Sequence, residues 1–587
     1  MNRITRPHTS PIGVTLAAMA LVVGVGVFQP PADAAAGPGE VQADKTPVAS
    51  EFGWMTVVNN DDLMPPLGVR NFNSYNQPSV NLDGLVVIRA RSRGGPPLGP
   101  PTHGIYTRDM AVEGPIISIL DRTTLVPEPN NLGTTFVETP SFPRVDMATD
   151  TVATRGNHQP VWRYLLGDDT ETRAGTTGIY TNPYGSLIAG AAKLGAVPEF
   201  GFFEVPGLPG VPFEVFPGSP SVTGGSTIVF KGNYTVEGVG RTGVYFRHLD
   251  DEPAGGVSPV VLIANNTDTL IPGTGTVFGS TAPPSAAGER VVFTGFDNEE
   301  HPNLGGIYLA PLETEPSLTT LVGLGDPVPG AARSDTFTGL GEGVAFDGRF
   351  VGFWGAWGDE SKNVRLYCPT EGNQDRIDFC NQQLVCEGTG EILGAPNITC
   401  DETGCYQDRQ VPVHQGIFIH DVDTRTTRRV AATDGPYDEF LYWSFSGKTP
   451  CTGGGHSEGG AEDDGEPARW RSSAFVAVSG GPGATYRTAF KARTGELADG
   501  IYVDPVDGIY LRMGPGRGQA PEIVLDSTMD GQLLDPEAPA GSHIVELGLE
   551  REGLRGDWLV VSAKMGIEGG AEEDGMAGVY IARVNRK

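Results

Sequence analysis

Gly288 to Gly355 reads GERVVFTGFDNEEHPNLGGIYLAPLETEPSLTTLVGLGDPVPGAARSDTFTGLGEGVAFDGRFVGFWG. A β-branched and aromatic run gives way to a polar turn, then to Gly306-Ile307-Tyr308 and a second apolar run ending in Leu321-Val322. A Val-Pro-Gly turn, a Thr-Phe pair and the next β run follow. Each run has strand length and each break carries turn chemistry, so the stretch predicts antiparallel β-structure of three or four short strands.

The triplet recurs. It appears as Gly104-Ile105-Tyr106, Gly178-Ile179-Tyr180, Gly243-Val244-Tyr245, Gly306-Ile307-Tyr308, Gly416-Ile417-Phe418, Gly508-Ile509-Tyr510 and Gly578-Val579-Tyr580. A small sheet cannot bury both of its faces alone, so neighbouring sheets must stack, and blades around an axis do this while protecting their edges. The two ends decide between an open stack and a ring. The chain stops seven residues after Tyr580, whereas Trp54-Met55-Thr56-Val57-Val58, Met64-Pro65-Pro66, Asn71-Phe72 and Asn81-Leu82-Asp83-Gly84 match the later parts of the repeat. The expected fold is therefore all-β: a seven-bladed β-propeller whose N-terminal strands complete the last blade. In the sixth blade, Gly500-Ile501-Tyr502 and Gly508-Ile509-Tyr510 compete for one register.

Residues 1–36 have the layout of a secretory signal, with Arg3 and Arg6, an apolar run from Val14 to Phe28 and small residues around Ala34. The propeller is expected over 37–587, and no later stretch is apolar enough to span a bilayer. A secreted or periplasmic protein is the expectation. The six cysteines, Cys368, Cys380, Cys386, Cys400, Cys405 and Cys451, share one window and predict a disulfide patch. Their spacings lack the paired C-x2-C of a zinc site. A formal charge of −31 argues against nucleic acid or anionic membrane as partners. Two interruptions of the repeat stand out, a cysteine-rich insertion at 358–415 and an acidic Gly-rich loop at 447–469.

The phrase of β run, Gly-Ile-Tyr, Leu-Val, Val-Pro-Gly, Thr-Phe and Asp-Gly resembles the tandem-repeat propellers of exported bacterial proteins of the choice-of-anchor kind, and more distantly TolB-like propellers. The resemblance spans nearly all of the mature chain, implies the architecture and carries no activity with it.

Aligning the first β run of each repeat places Arg89, Arg155 and Lys231 in one register position, with Arg91, Asn157 and Asn233 two residues on. If these runs are innermost strands, three neighbouring blades present cations and amides to the axial channel. That pattern suits an anionic carbohydrate, with His158 and Tyr234 just beyond as candidates for proton transfer. The alternative is that these side chains pair with acidic neighbours between blades. The octapeptide EGGAEDDG, carrying Glu462, Asp463 and Asp464, returns as EGGAEEDG with Glu572, Glu573 and Asp574. Carboxylates on glycine turns suit calcium or, equally, solvated turns. Gly455-His456-Ser457-Glu458-Gly459 matches G-x-S-x-G but lies in a glycine-rich loop with no helix to follow, and is read as chance.

The reading that results is an exported propeller that binds a ligand or a cell-surface partner, with no catalytic constellation. The alternative is a lyase acting on an acidic glycan, with His158 or Tyr234 as base and Arg155 neutralising the substrate carboxylate.

Overall fold

A computed structural model describes residues 52–584 except 67, 95–98, 100, 128–134, 159–162, 166–170, 174–175, 195–202, 250–257, 371, 387–388, 448, 451–466, 516–519, 568 and 570–574. Seven four-stranded antiparallel sheets follow one another along the chain. Blade 1 comprises an innermost strand in two pieces (Phe72–Tyr75 and Ser79–Val80), then Leu85–Ser92, His103–Asp109 and Ile117–Asp121. The second strands of blades 2 to 6 are Val152–His158, Thr227–Val236, Arg290–Phe296, Phe350–Tyr367 and Tyr486–Ala498. Blade 7 comprises His543–Gly548 with Leu554–Arg555, then Trp558–Gly566 and Met576–Arg583, and its fourth strand is Met55–Asn59 from the other end of the chain. That strand pairs from Met55↔Ile581 to Asn59↔Gly578, so the ring is clasped.

The repeated triplet has a mechanical reason. In blades 1 to 6 the pairing of third and fourth strands shifts register between the triplet's Ile or Val and its aromatic residue, as at Ile307/Tyr308, and in blade 7 the same shift falls between Val579 and Tyr580. The aliphatic residue points into the seam with the next blade and the aromatic residue into the seam with the previous one. Ile307 packs with Phe337 and Phe353, whereas Tyr308 packs with Val229, Phe278 and Phe293. In six blades that ring meets a second aromatic edge-on. Phe72–Tyr106, Phe136–Tyr180, Phe213–Tyr245, Phe278–Tyr308, Phe337–Phe418 and Tyr437–Tyr510 have centroids 4.8–5.1 Å apart and interplanar angles of 78–88°. A Cβ at Gly306 would lie 2.2 Å from the carbonyl oxygen of Val322, and one at Gly104 would lie 2.5 Å from the Tyr106 hydroxyl. Only glycine fits. In blade 6, Gly508-Ile509-Tyr510 takes this role, and Gly500-Ile501-Tyr502 lies in an extension of the hairpin.

One expectation needs correction. The aligned β run is the second strand of each blade. The innermost strands are the short pieces Ser79–Val80, Arg144–Val145, Ser221–Thr223, Ser285–Ala287, Ala345–Phe346, Val476–Gly480 and Leu554–Arg555, which touch one another in a closed circuit. The axis is filled by the turn of blade 7 from Glu550 to Arg555. Arg144 Nη2 of blade 2 lies 2.6 Å from Glu550, and Ser221 Oγ of blade 3 donates to Glu552 at 3.4 Å. Arg551 donates to the Pro283 carbonyl of blade 4, and Arg555 to those of Phe346 in blade 5 and Val478 in blade 6. Val80 N of blade 1 donates to the Glu552 carbonyl. One turn thus ties all seven blades at the centre.

The cysteine-rich insertion and the hairpin that carries the acidic loop form one cap. The second strand of blade 5 runs on to Tyr367 and its partner begins at Gly404, so the two ends of 358–415 form a lengthened hairpin and not loop. Beyond it come the helix Gln374–Cys380, capped by the Asn373 side chain, and the disulfides Cys368–Cys380 and Cys400–Cys405. Cys386 is disulfide-bonded too, and Cys451 lies outside the described residues. The hairpin Tyr442–Ser446 with Arg469–Ser473 packs on this unit, sharing a core of Val364, Leu366, Phe379, Leu384, Phe445 and Trp470. Antiparallel order puts all second-to-third turns and all fourth-to-first connections on one face of the ring, and the cap rises from that face. Residues 1–36, both acidic triads and the G-x-S-x-G match lie outside the described residues. Among the described residues no helix is long and apolar enough to cross a membrane.

Because each aromatic pair glues two blades, Phe278→Ala is expected to lower stability by about 3–5 kcal/mol in chemical denaturation, the scale of a deleted core ring. A loss below about 1 kcal/mol would remove the pair from its central place.

Candidate ligand site between the last and first blades

Second strands pair with third strands in one register throughout. The residues opposite the triplet's Ile or Val are Arg89, Arg155, Lys231, Thr294, Trp354, Lys491 and Ser562. Alternation along a strand sends each of these toward the next blade, because Val87, Ala153, Val229, Val292, Ala489 and Val560 on the same strand faces are buried in those forward seams. The three aligned cations therefore stand one per seam. They do not ring the axis, which the Glu550–Arg555 turn occupies.

Their environments differ. Arg89 is 2 % exposed and donates to the Thr139 carbonyl of blade 2 and, at 2.7 Å, to Asn76 Oδ1. Arg91 is half-buried, with Nε 3.3 Å from Ser74 Oγ. Arg155 is also buried. Asn157, Lys231 and Asn233 are half-buried, and the Asn157 and Asn233 main chains form isolated bridges with Glu138 and Val215, which precede the innermost strands of their own blades. The backbone of His158 pairs with that of Thr176, and its side chain lies outside the described part. Tyr234 points the other way, into the seam with blade 2, where it is buried with its hydroxyl 2.8 Å from Thr267 Oγ1.

Three further seams are closed by devices of their own. Thr294 Oγ1 donates to the Gly341 carbonyl, and Trp354 Nε1 donates to Gln415 Oε1. Between blades 6 and 7 stand Lys491 and Arg493, cations that the sequence reading missed because the doubled Gly-Ile-Tyr left that blade without a register. Burial lowers the Lys491 ammonium's pKa against the pull of Asp507, whose carboxylate lies 3.6 Å away. Tyr442 of the cap offers its ring face at 3.9 Å. Arg493 makes a forked pair with Asp507 at 2.7 and 3.1 Å, and Lys362 of the cap reaches Tyr502 and Glu439 at 2.8 and 3.3 Å. This polar seam fastens the cap to the ring.

The seam between blades 7 and 1 is different. Its position holds Ser562, the smallest side chain of the seven, and a cavity of about 540 Å³ opens there on the cap-bearing face. Asn60, Asn73, Ser74, Tyr75 and Ser562 supply neutral polar groups to its wall, and Arg93, Lys564 and Glu546 supply charge. Among the described residues the Tyr75 hydroxyl and Asn60 Oδ1 are buried without a hydrogen-bond partner. Burial, reinforced by Asp62, Asp61 and Asp535, pushes the Tyr75 phenol well above its ordinary pKa, so it is a donor at all physiological pH. In this blade Asp535 replaces the edge-on aromatic, accepting from Tyr580 Oη and Asn59 Nδ2, each at 3.0 Å. Arg93 Nε lies 3.3 Å from Asn73 Oδ1, and among the described residues it has no acidic partner. The wall can thus hydrogen-bond a hydroxyl-rich molecule and offer cations to an acid group on it.

No protein-family model matches the chain, and no curated protein does. Among solved structures, the polysaccharide lyase Uly1 aligns over 90% of this chain and 98% of its own, with 10% identity and a TM-score of 0.35. The periplasmic gluconolactonase PpgL of Pseudomonas aeruginosa aligns over 73% of this chain and 94% of its own, with 13% identity and a TM-score of 0.21. At these scores the likeness carries no argument about this chain's chemistry.

Asp507→Asn leaves Lys491 and Arg493 without their carboxylate and is expected to cost about 3 kcal/mol. Limited proteolysis should then cut the cap faster than in the parent protein, and an unchanged cleavage rate would show that this seam does not hold the cap.

Proposed function

We propose that this protein is an exported binding propeller that takes an acidic, hydroxyl-rich ligand, an acidic carbohydrate by class, in the seam between its last and first blades. The observation that carries this reading is the cavity left by Ser562, walled by neutral hydrogen-bonding groups and flanked by Arg93 and Lys564. Arg93 presents its cation without an acidic partner among the described residues, in a chain whose formal charge is −31. A guanidinium held at a cavity wall is suited to a carboxylate, and sugar hydroxyls match the Asn60, Ser74 and Tyr75 groups. The disulfides of the cap support an oxidising compartment, secreted or periplasmic.

Lytic cleavage, with a base drawn from His158 or Tyr234, is the second reading and draws less support. Tyr234 is buried on the far side of its strand with its hydroxyl already engaged.

Titration calorimetry with uronic-acid oligosaccharides tests the proposal. Arg93→Ala is expected to weaken binding at least tenfold, in line with loss of a charge-assisted pair, and Ser562→Trp to abolish it by filling the cavity while leaving the melting temperature close to that of the parent. Saturable binding that both variants retain would place the ligand elsewhere. Prolonged incubation with the same oligosaccharides is expected to produce no ultraviolet absorbance of an unsaturated product. A steady rise that Arg155→Ala abolishes would replace binding with elimination.

A further inference from the structure

A second cationic cluster lies outside the cavity, on the face of blade 1 that looks toward blade 2. Val87, Ile105 and Leu120, on its second, third and fourth strands, share one buried seam. Two-residue alternation carries Arg89 and Arg91, His103, and Arg122 to the same side at the cap-bearing end of those strands. Arg91 and His103 stand opposite each other in the ladder. Arg122 Nη1 donates to the Pro101 carbonyl at 3.0 Å, and Arg91 Nε reaches only Ser74 Oγ. Among the described residues neither arginine has a carboxylate partner, although the chain carries 72 acidic residues against 41 basic ones. His103 is 8 % exposed, and among the described residues its Nδ1 is buried without a hydrogen-bond partner. Arg91 and Arg122 are half-exposed above it. The facing segment of blade 2 brings Glu138 and Thr139, and the Thr139 carbonyl is already taken by Arg89.

We infer that Arg91, Arg122 and His103 form a binding site for a tetrahedral oxyanion of double negative charge, either a free phosphate or sulfate ion or a phosphomonoester. Guanidinium groups grip such oxygens through paired N–H donors, and a dianion balances the two unpaired cations where a single carboxylate would not. The protonation of His103 fits the same site. Burial and the field of Arg89, Arg91 and Arg122 push its imidazole down to about 3, so it is neutral in the empty protein. A dianion offsets that field and raises the bound-state value above the free one. For sulfate, which stays a dianion, binding is therefore linked to proton uptake by His103 and tightens as pH falls below the bound-state value, whereas phosphate and its monoesters release a proton of their own on binding as dianions, which offsets that uptake.

This site is independent of the cavity between blades 7 and 1, and the test separates the two. Calorimetry with inorganic phosphate, inorganic sulfate and a sugar phosphomonoester at pH 6 should show saturable binding, and for sulfate, which carries no titrating proton, two buffers of different ionisation enthalpy should reveal proton uptake that grows as pH is lowered toward 5. Arg91→Gln with Arg122→Gln is expected to weaken it at least tenfold, and Arg91→Lys with Arg122→Lys to retain part of it. His103→Gln should abolish the proton uptake. Ser562→Trp, which blocks the cavity, should leave phosphate binding unchanged. Binding of the free ions alone or of the ester as well sustains the inference and identifies the source of the anion. Failure of all three probes to bind, or equal binding by the folded double glutamine variant, overturns it.

Discussion

Six of the seven blades in this ring depend on an aromatic ring laid edge-on against the tyrosine or phenylalanine of the repeated triplet. The contact uses the triplet glycine and, in four of its six copies, a second glycine opposite it, with alanine there in the other two. The triplet glycine leaves room for the aromatic side chain that folds back over it. A second glycine on the neighbouring strand (Gly156, Gly232, Gly295 or Gly355) leaves room for the partner ring, whose carbon would lie 2.6–2.7 Å from a Cβ placed there. The local register shift then turns the aliphatic and aromatic residues of one triplet into opposite seams. Each blade thus grips both of its neighbours through adjacent residues, and the gain per seam is burial plus a favourable quadrupole geometry.

A ring built this way has seven copies of one seam, and its individuality lies in what fills them. At the position facing the next blade a large or hydrogen-bonded side chain closes the gap, as Arg89, Thr294 and Trp354 do. Ser562 does not. It sits at the junction where the two ends of the chain meet, and there an aromatic pair is also replaced by a carboxylate bonded to a tyrosine and to Asn59. The clasp is consequently a polar and open seam, which is why the candidate binding site falls on it.

Much of the fold was legible because it is written seven times. Triplet spacing predicted the blade count, and matching Trp54–Val58 to Thr319–Val322 predicted the clasping strand, since identical local sterics select identical local structure. The strand order within a blade differs from the expectation by one position: the innermost pieces are only two or three residues long in six blades and carry no periodic pattern of their own. That slip moved Arg89, Arg155 and Lys231 from the seams to the axis and hid the Glu550–Arg555 turn, whose partners come from every other part of the chain. Lys491 and Arg493 went unread for a narrower reason, the competing Gly-Ile-Tyr eight residues earlier.

By itself the sequence determined an all-β ring of seven blades, its closure and a concentration of disulfides, because these follow from short-range patterns of glycine, aromatic and β-branched residues. Only the tertiary structure decided that the cysteine-rich insertion shares one core with the hairpin bearing the acidic loop, that the axis is filled by paired charges, and that space remains at Ser562 and two arginines, Arg91 and Arg122, stand over His103 with no carboxylate partner among the described residues. Those features arise where side chains far apart in the chain meet, and their spacing is set by packing and electrostatics between blades, which no local pattern encodes.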